Sequence, residues 1–236
     1  MNRFAFRQVD YRDIKTFISD NGVFSKNHNP IQKCHQTSYT SIVNRRGTKM
    51  FQMPKNRVIN DFVAFYFSPV SSFTFAIHKG NVPVTDPNGN IIGNSQVSDR
   101  VFIVCKIRKV ISKIKDCYYS NYALNSNSLS PEIFNDFSSI EKNISWDVFD
   151  DQPFVGDIPE IGYNGVCKYF SSNTNIKYQA RKEKRMAEFL VYDELPWDLV
   201  ECIILPDHSK VKSIQSLISR HGKTTPVYVK PGCFVQ

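Results

Sequence analysis

The chain has 236 residues, of which 41% are hydrophobic and 13% aromatic, and its formal net charge is +8. This length predicts one domain over residues 1–236 with a core of its own, and the composition excludes a wholly disordered chain. The 30 Lys and Arg against 22 Asp and Glu favour a polyanionic partner such as nucleic acid. A basic soluble protein without such a partner is the alternative that charge alone leaves open.

Neither a secretion signal, a membrane span nor a metal site is predicted. Charged residues interrupt the N-terminus too early for a signal peptide, and no apolar run nears the ~18 residues of a membrane helix. The six cysteines lie far apart without a Cys-x-x-Cys motif, which predicts reduced thiols in the cytoplasm. A zinc site built from Cys34, His35, Cys202 and His208 matches no usual ligand spacing, so we expect no metal.

The first half of the chain contains one predicted helix among predicted strands. The helix over 11–21 carries Ile14, Phe17 and Ile18 at helical spacing, and Gly22 suits the position just past its end. The strands are rich in aromatic and β-branched residues, and they cover 4–9, 61–67, 73–78 and 101–107.

The second half predicts two helices and a long loop. Ser130 and Pro131 are typical of a helix start and predict a helix with an apolar face through Ile140, while a second helix over 208–221 ends at Gly222. Strands are predicted over 187–192, 199–205 and 226–230, and a loop over 150–176. Because strands and helices do not alternate regularly, the fold class is α+β.

The common phosphate-binding motifs are missing, but one carboxylate stands out. The sequence has no Gly-x-Gly-x-x-Gly, Walker P-loop or His-Glu-x-x-His motif. Glu188 follows a basic run and enters an apolar strand, where a period of two residues places it on one face with Leu190 and Tyr192. Such a residue is either exposed at a sheet edge or lines a cleft, and the pattern alone favours the exposed edge.

Two long segments resemble the signatures of a known family. Residues 61–69 (DFVAFYFSP) are similar to DYVPFYFxP, and residues 185–191 (RMAEFLV) are similar to RQAEFLV. The pair Arg45-Arg46 upstream also matches in spacing. The sequence is therefore identified as a member of the DarT family, the toxins of bacterial toxin–antitoxin pairs that ADP-ribosylate DNA bases using NAD.

Departures from the signatures point to a branch of the family. Ala64 replaces the usual Pro, Met186 replaces a Gln, and Arg7 stands near the position of a His-x-Thr on the first strand. The polar segment 35–39 resembles a second branch, in which the antitoxin is of the NADAR type and the modified base is guanine rather than thymine. The resemblance thus implies a cognate antitoxin, either NADAR-type or a macrodomain hydrolase.

The resemblance implies an ADP-ribosyltransferase fold, with two packed β-sheets flanking an NAD cleft and helices at the periphery. Glu188 would stabilise the positive charge that develops on the ribose when nicotinamide leaves. Arg46, or its neighbour Arg45, would contact an NAD phosphate and help shape the environment of the attacking base. The resemblance also implies a set of residues that contact NAD. Each of them has an alternative structural role, in core packing, in helix capping or in a polar turn. The expected NAD contacts are Arg7, His35, Gln36, Thr37, Ser38, Arg45, Tyr66 and Phe67.

Single-stranded DNA is the expected substrate, because a base must leave the duplex before it can be attacked. A basic stretch before Glu188 would contact phosphates, although a solvated basic face is the alternative. Its basic members are Lys177, Arg181, Lys182 and Arg185, and Tyr178 within it would stack on an unpaired base, with a structural tyrosine as the alternative. A transferase of the same fold acting on RNA or protein, and a non-catalytic nucleic-acid-binding module, remain alternative functions. We expect a monomer.

Overall fold

A computed structural model describes residues 2–49, 51, 53–124, 130–171 and 179–234. Its strands are β1 (Phe4–Asp10), β2 (Gly22–Phe24), β3 (Gln36–Thr37), β4 (Phe62–Tyr66), β5 (Pro83–Thr85), β6 (Ile91–Asn94), β7 (Arg100–Lys106), β8 (Cys117–Ser120), β9 (Ile133–Phe134), β10 (Glu188–Tyr192), β11 (Glu194–Pro196), β12 (Val200–Leu205) and β13 (Val227–Val229). Its α-helices are α1 (Ile14–Ser19), α2 (Thr40–Arg46), α3 (Ser72–His78), α4 (Ile107–Lys113), α5 (Ile140–Asn143), α6 (Arg181–Lys184) and α7 (Val211–Arg220).

One large sheet of eight strands runs in the order β13-β12-β7-β1-β4-β10-β8-β9. Strands β1 and β7 share seven register pairs, and β4 and β10 share five, but β1 and β4 share only Phe6↔Tyr66. The two sheets that the resemblance implies are therefore two halves of one hydrogen-bonded sheet, joined at a single pair. The α+β class is confirmed, and two small sheets (β11-β2 and β3-β5-β6) complete it.

Alternating side chains let the sheet bury both of its faces. On β1, Ala5 and Val9 belong to the largest core cluster, whereas Phe4 and Phe6 belong to a second cluster. A period of two residues makes this possible, because neighbouring side chains of a strand point to opposite faces. The same alternation on β10 places Phe189 in the largest cluster, whereas Leu190, on the face of Glu188, belongs to a third cluster.

The prediction of a strand over 73–78 is wrong, because these residues form α3. Ser71 caps the helix: its Oγ accepts from the Thr74 backbone N–H at 3.2 Å, and the Ser71 N–H donates to Thr74 Oγ1 at 2.8 Å. A reciprocal cap of this kind supplies partners for the free N–H groups of the first turn. It outweighs the strand preference of an aromatic and β-branched segment.

The helix predicted from Ser130 through Ile140 is also wrong. Ile133–Phe134 is instead β9, which pairs with β8 at the edge of the large sheet. A new helical segment begins only after Asp136, whose side chain accepts from the Ser138 N–H. The apolar spacing over this stretch thus reflects one edge strand followed by short helical turns.

The chain reversal after α1 uses a different residue from the one predicted. Asn21 takes the left-handed conformation (φ 56°), and Gly22 already opens β2. At the end of α7, by contrast, Gly222 has φ 66° as expected. Asn is the side chain that best tolerates this conformation after Gly, so either residue serves.

All six cysteines lie within the described residues as free thiols. In the same part of the chain, three or more His, Cys, Asp or Glu side chains nowhere gather as they would around a metal ion. The described helices include none long and apolar enough to cross a membrane.

Candidate active site

A cavity of about 280 Å³ lies where β1 and β4 diverge from their single pair. Residues 6–10 of β1 and 64–66 of β4 line its two sides, and Glu188 of β10 also lines it. One face of helix α3 and some residues of the segment 32–46, Arg46 among them, complete the wall. The predicted site segments, which are far apart in sequence, therefore meet at the fork of the sheet.

Glu188 is held by Arg46 in a two-pronged ion pair. Arg46 Nη1 donates to Oε1 at 2.8 Å, and Nη2 donates to Oε2 at 2.7 Å. Glu188 is 2% exposed, so the alternative of an exposed sheet edge is wrong. Burial alone would lower the pKa of Arg46, but the charge and hydrogen bonds of Glu188 raise it, so Arg46 stays a cation.

Helix α2 brings Arg46 to this position. The helix follows the polar segment 35–39, and Arg46 stands in its last turn, where a cation interacts favourably with the helix dipole. Asn60, just before β4, donates to the Val43 carbonyl at 3.0 Å and so ties the helix to the sheet. No helix was predicted here, and only the fold shows which arginine of the pair reaches Glu188.

Arg7 and Tyr66 stand beside the ion pair. Tyr66 is the register partner of Glu188, and both burial and the Glu188 charge raise its pKa. Arg7 donates to the Ala64 carbonyl at 2.8 Å across the fork, while its Nε has no partner among the described residues. Burial lowers the pKa of Arg7. Glu188 can thus present its carboxylate, and Arg7 its unpartnered Nε–H, to a polar ligand.

The segment 35–38 lines the cavity as expected, and neighbouring side chains fix it. The Asp13 carboxylate accepts from the His35 backbone N–H and lies 2.7 Å from ring Nδ1. Thr37 Oγ1 accepts from Arg100, and Gln36 Oε1 accepts from Lys26. The Ser38 hydroxyl is buried without a partner in the described structure. Sequence reasoning missed Asp13 and Arg100, although Asp13 stands only three residues after the end of the first strand.

Two of the expected NAD contacts lie elsewhere. Phe67 is buried in the core, where its ring contacts Trp146 and Phe149, because it faces away from the cavity next to Tyr66. Arg45 also does not line the cavity, since its neighbour on α2 takes that place.

The basic stretch before Glu188 is mostly a structural element, not a phosphate-binding face. Arg181 is 1% exposed and pairs with Asp151, and Arg185 is 0% exposed. Arg185 donates to the Val70 carbonyl at 2.6 Å and to Ser68 Oγ at 2.9 Å. The expectation that these two arginines contact DNA phosphates is therefore corrected, because their guanidinium groups satisfy buried carbonyls.

The remaining members of the basic stretch are not buried arginines of this kind. Lys182 is exposed on α6 but does not line the cavity. Lys177 and Tyr178 lie outside the described residues.

A comparison with protein families decides what this arrangement belongs to. The family model described as ssDNA thymidine ADP-ribosyltransferase, DarT, matches residues 6–235. The chain belongs to the DarT family. The resemblance noted in the two signatures is thereby confirmed, and DarT proteins are enzymes.

Solved DarT structures have the same fold. A Thermus sp. 2.9 DarT in complex with ADP-ribosylated ssDNA matches with a TM-score of 0.76 and 17% identity over 100% of both chains. The same protein in complex with NAD⁺ matches with a TM-score of 0.71 and 16% identity, covering 99% of this chain and 98% of that one. Thermosipho africanus DarTG in complex with ADP-ribose matches with a TM-score of 0.67 and 19% identity, covering 98% of this chain and 51% of that chain. A comparison with curated protein sequences found no match.

Proposed function

We propose that this DarT protein transfers ADP-ribose from NAD to a base of single-stranded DNA. The observation that carries the proposal is the buried Glu188 carboxylate, which Arg46 holds at the wall of the cavity. The family match and the DarT complexes with NAD⁺ and with ADP-ribosylated ssDNA support the same chemistry.

The reaction breaks the bond between nicotinamide and the ribose C1′. Positive charge develops on the ribose, nicotinamide leaves with the bonding electron pair, and a base nitrogen forms the new bond to C1′ as it loses its proton. A carboxylate that accepts from the ribose 2′-hydroxyl stabilises this charge as it develops. Glu188 serves this role, and Arg46 orients the carboxylate through two hydrogen bonds until the ribose hydroxyl competes for it.

The unpartnered polar atoms that line the cavity suit the polar groups of NAD. Arg7 Nε and Ser38 Oγ are buried without partners in the described structure, as is Gln8 Oε1, and all three residues line the cavity. Buried polar atoms in proteins nearly always have a partner, so these atoms suit a ligand rich in hydroxyl and phosphate oxygens. A guanidinium such as that of Arg7 is well suited to a pyrophosphate.

The modified base is the finer part of the proposal. The family description names thymidine, whereas the resemblance of segment 35–39 to a second branch predicts guanine. The described contacts of His35 and Thr37 are with protein groups, so they favour neither base. Guanine remains the sequence prediction.

A role as a toxin follows from the chemistry. A bulky, charged adduct on template bases obstructs replication, so a cell that makes this protein needs an antitoxin that neutralises it or removes the adduct. We propose such a partner, of the NADAR type or a macrodomain hydrolase. A Thermosipho africanus DarTG is among the structural relatives.

The deciding experiment is transfer of labelled ADP-ribose from NAD to defined acceptors. Single-stranded oligonucleotides lacking either guanine or thymine, the matching duplex, RNA and a protein mixture are compared, with Glu188→Gln as the inactive control. We expect label on single-stranded DNA alone, and mass spectrometry of the product identifies the base. Equal labelling of RNA or protein would favour the alternative acceptors, and absence of any NAD turnover would leave only nucleic-acid binding.

A further inference from the structure

A serine at the end of β8 holds the backbone of Glu188. Strands β8 and β10 pair antiparallel, and their last register pair is Phe189↔Tyr119. One residue further, the Glu188 N–H donates to Ser120 Oγ at 3.0 Å. On its other side, Glu188 lies in register with Tyr66 of β4. The serine side chain therefore continues the pairing of β8 and β10 to the residue that carries the carboxylate.

The Ser120 hydroxyl is itself fixed, because its own proton has a partner. Ser120 Oγ donates to the Tyr122 carbonyl at 2.8 Å while it accepts from the Glu188 N–H. A hydroxyl has one proton to donate and lone pairs that accept, so both hydrogen bonds form at once. Ser120 is fully buried and Glu188 is 2% exposed, so burial keeps water from replacing either bond.

The turn that follows Ser120 also holds the segment that leads into Glu188. The Ala123 N–H donates to the Glu183 carbonyl at 3.0 Å. Glu183 belongs to α6 and precedes Glu188 by five residues. Residues 120–123 therefore fix the approach to the carboxylate at two points, one on the helix and one on the backbone of Glu188 itself.

We propose that Ser120 is a positioning residue for Glu188 and fixes the backbone from which the carboxylate reaches the ribose. The inference rests on the proposed function, in which Glu188 acts on the charge that develops during bond breaking. Arg46 orients the two carboxylate oxygens, whereas Ser120 fixes the other end of the residue. A displacement of about 1 Å at a reacting group can lower a rate by about 100-fold, so a hydrogen bond remote from the ribose still affects turnover.

Steady-state kinetics of NAD-dependent transfer by Ser120→Ala test the proposal. The variant leaves the Glu188 N–H without its side-chain acceptor, so we expect kcat to fall by at least about fivefold. The KM of NAD should stay within about threefold, because Ser120 does not line the cavity. A smaller fall in kcat would overturn the proposal. A KM that rises as much as kcat falls would also overturn it, because such a change indicates a general disturbance of the site.

Tyr119→Phe, at the neighbouring position of β8, is the matched control. The Tyr119 hydroxyl donates to the Asp136 carbonyl at 2.9 Å and accepts from Asn143 Nδ2 at 3.0 Å. The variant therefore loses as many hydrogen bonds as Ser120→Ala, but none of them involves Glu188. We expect its kcat to stay within about twofold of the wild-type value. Equal losses of kcat in the two variants would contradict a specific role of Ser120.

Amide hydrogen exchange in the wild-type protein tests the hydrogen bond even if Ser120→Ala does not fold. We expect the Glu188 N–H to exchange as slowly as the amides further along β10, and exchange at the rate of an unprotected amide would overturn the proposal. The proposed function has a separate outcome. A wild-type protein that does not turn over NAD contradicts the role of Glu188 itself, whereas an active wild-type protein with an equally active Ser120→Ala contradicts only the positioning role.

Discussion

Glu188 acts on charge that exists only during bond breaking, so its loss affects turnover far more than binding. For Glu188→Gln we expect kcat to fall by at least about 100-fold, in the range seen for a main electrostatic stabiliser, with little change in the Kd of NAD. Steady-state kinetics and calorimetry measure the two quantities. Glu194→Gln, an exposed carboxylate on β11, is the control and is expected to retain full activity. Retention of more than about a tenth of the wild-type kcat by Glu188→Gln would contradict the catalytic assignment.

The neighbouring residues Arg45 and Arg46 provide a second test of the catalytic assignment. Arg46 forms two hydrogen bonds with Glu188, whereas Arg45 does not line the cavity. We expect Arg46→Gln to lower kcat/KM by at least about 100-fold, and Arg45→Gln to change it by less than about threefold, because only the first leaves a buried carboxylate without its counter-charge. The transfer assay checks both. Equal losses would mean that the ion pair is not specific to the reaction.

Single residues also show where sequence reasoning succeeds. A period of two residues correctly assigns Glu188 and Leu190 to one face, because strand geometry is local. The ion-pair partner of Glu188, Arg46, is 142 residues away in the sequence, so only the fold brings the two side chains together. Arg181 and Arg185 read as surface cations for the same reason: buried carbonyls that satisfy a guanidinium leave no mark in the local sequence.

Helix α6 illustrates how one short element divides its roles. Arg181 pairs with Asp151 in the interior, while Lys182 next to it is exposed. We expect Arg181→Gln to lower the free energy of unfolding by about 3 kcal/mol, since it removes the ion pair with Asp151 and the guanidinium's hydrogen bonds to the Val148 and Tyr169 carbonyls in the interior. Lys182→Gln is expected to change it by less than about 0.5 kcal/mol. Chemical denaturation measures both, and equal stabilities would contradict the structural role of Arg181.

Elements whose signals are local were predicted best. The buried strands β1, β7, β10 and β12 carry long apolar runs, and their positions are confirmed within a residue or two. Helix α3 was missed because its capping pair, rather than its apolar spacing, determines the conformation. Short strands such as β3 and β9 depend on a partner strand elsewhere in the chain, which no local pattern reveals.

At the scale of the whole molecule, the net charge of +8 predicts salt-sensitive DNA binding. Exposed cations on α4, including Arg108 and Lys113, remain available to phosphates. Each phosphate contact releases a counterion, so we expect the Kd of a single-stranded oligonucleotide to rise by at least about tenfold between about 50 and 200 mM salt. Fluorescence anisotropy measures it. A Kd independent of salt would show that the basic surface is only solvated.

Expression of the protein in bacteria tests the toxin role. Because template bases carrying ADP-ribose block replication, we expect growth to stop on induction of the wild-type protein and to continue with Glu188→Ala. Equal protein levels, checked by immunoblotting, are the necessary control. Normal growth with abundant active protein would contradict the toxin role while leaving the enzymatic activity standing.

Only one register pair, Phe6↔Tyr66, joins β1 to β4 within the large sheet. Elsewhere, separating neighbouring strands breaks a ladder of hydrogen bonds, whereas here the two halves are held by this pair, by the Arg7–Ala64 hydrogen bond and by side chains of the shared core. A dinucleotide that contacts β1 on one side and Glu188 on the other would bridge the two halves of the sheet. Amide hydrogen exchange along β4 should therefore slow when NAD binds, even though the ligand adds no strand to the sheet.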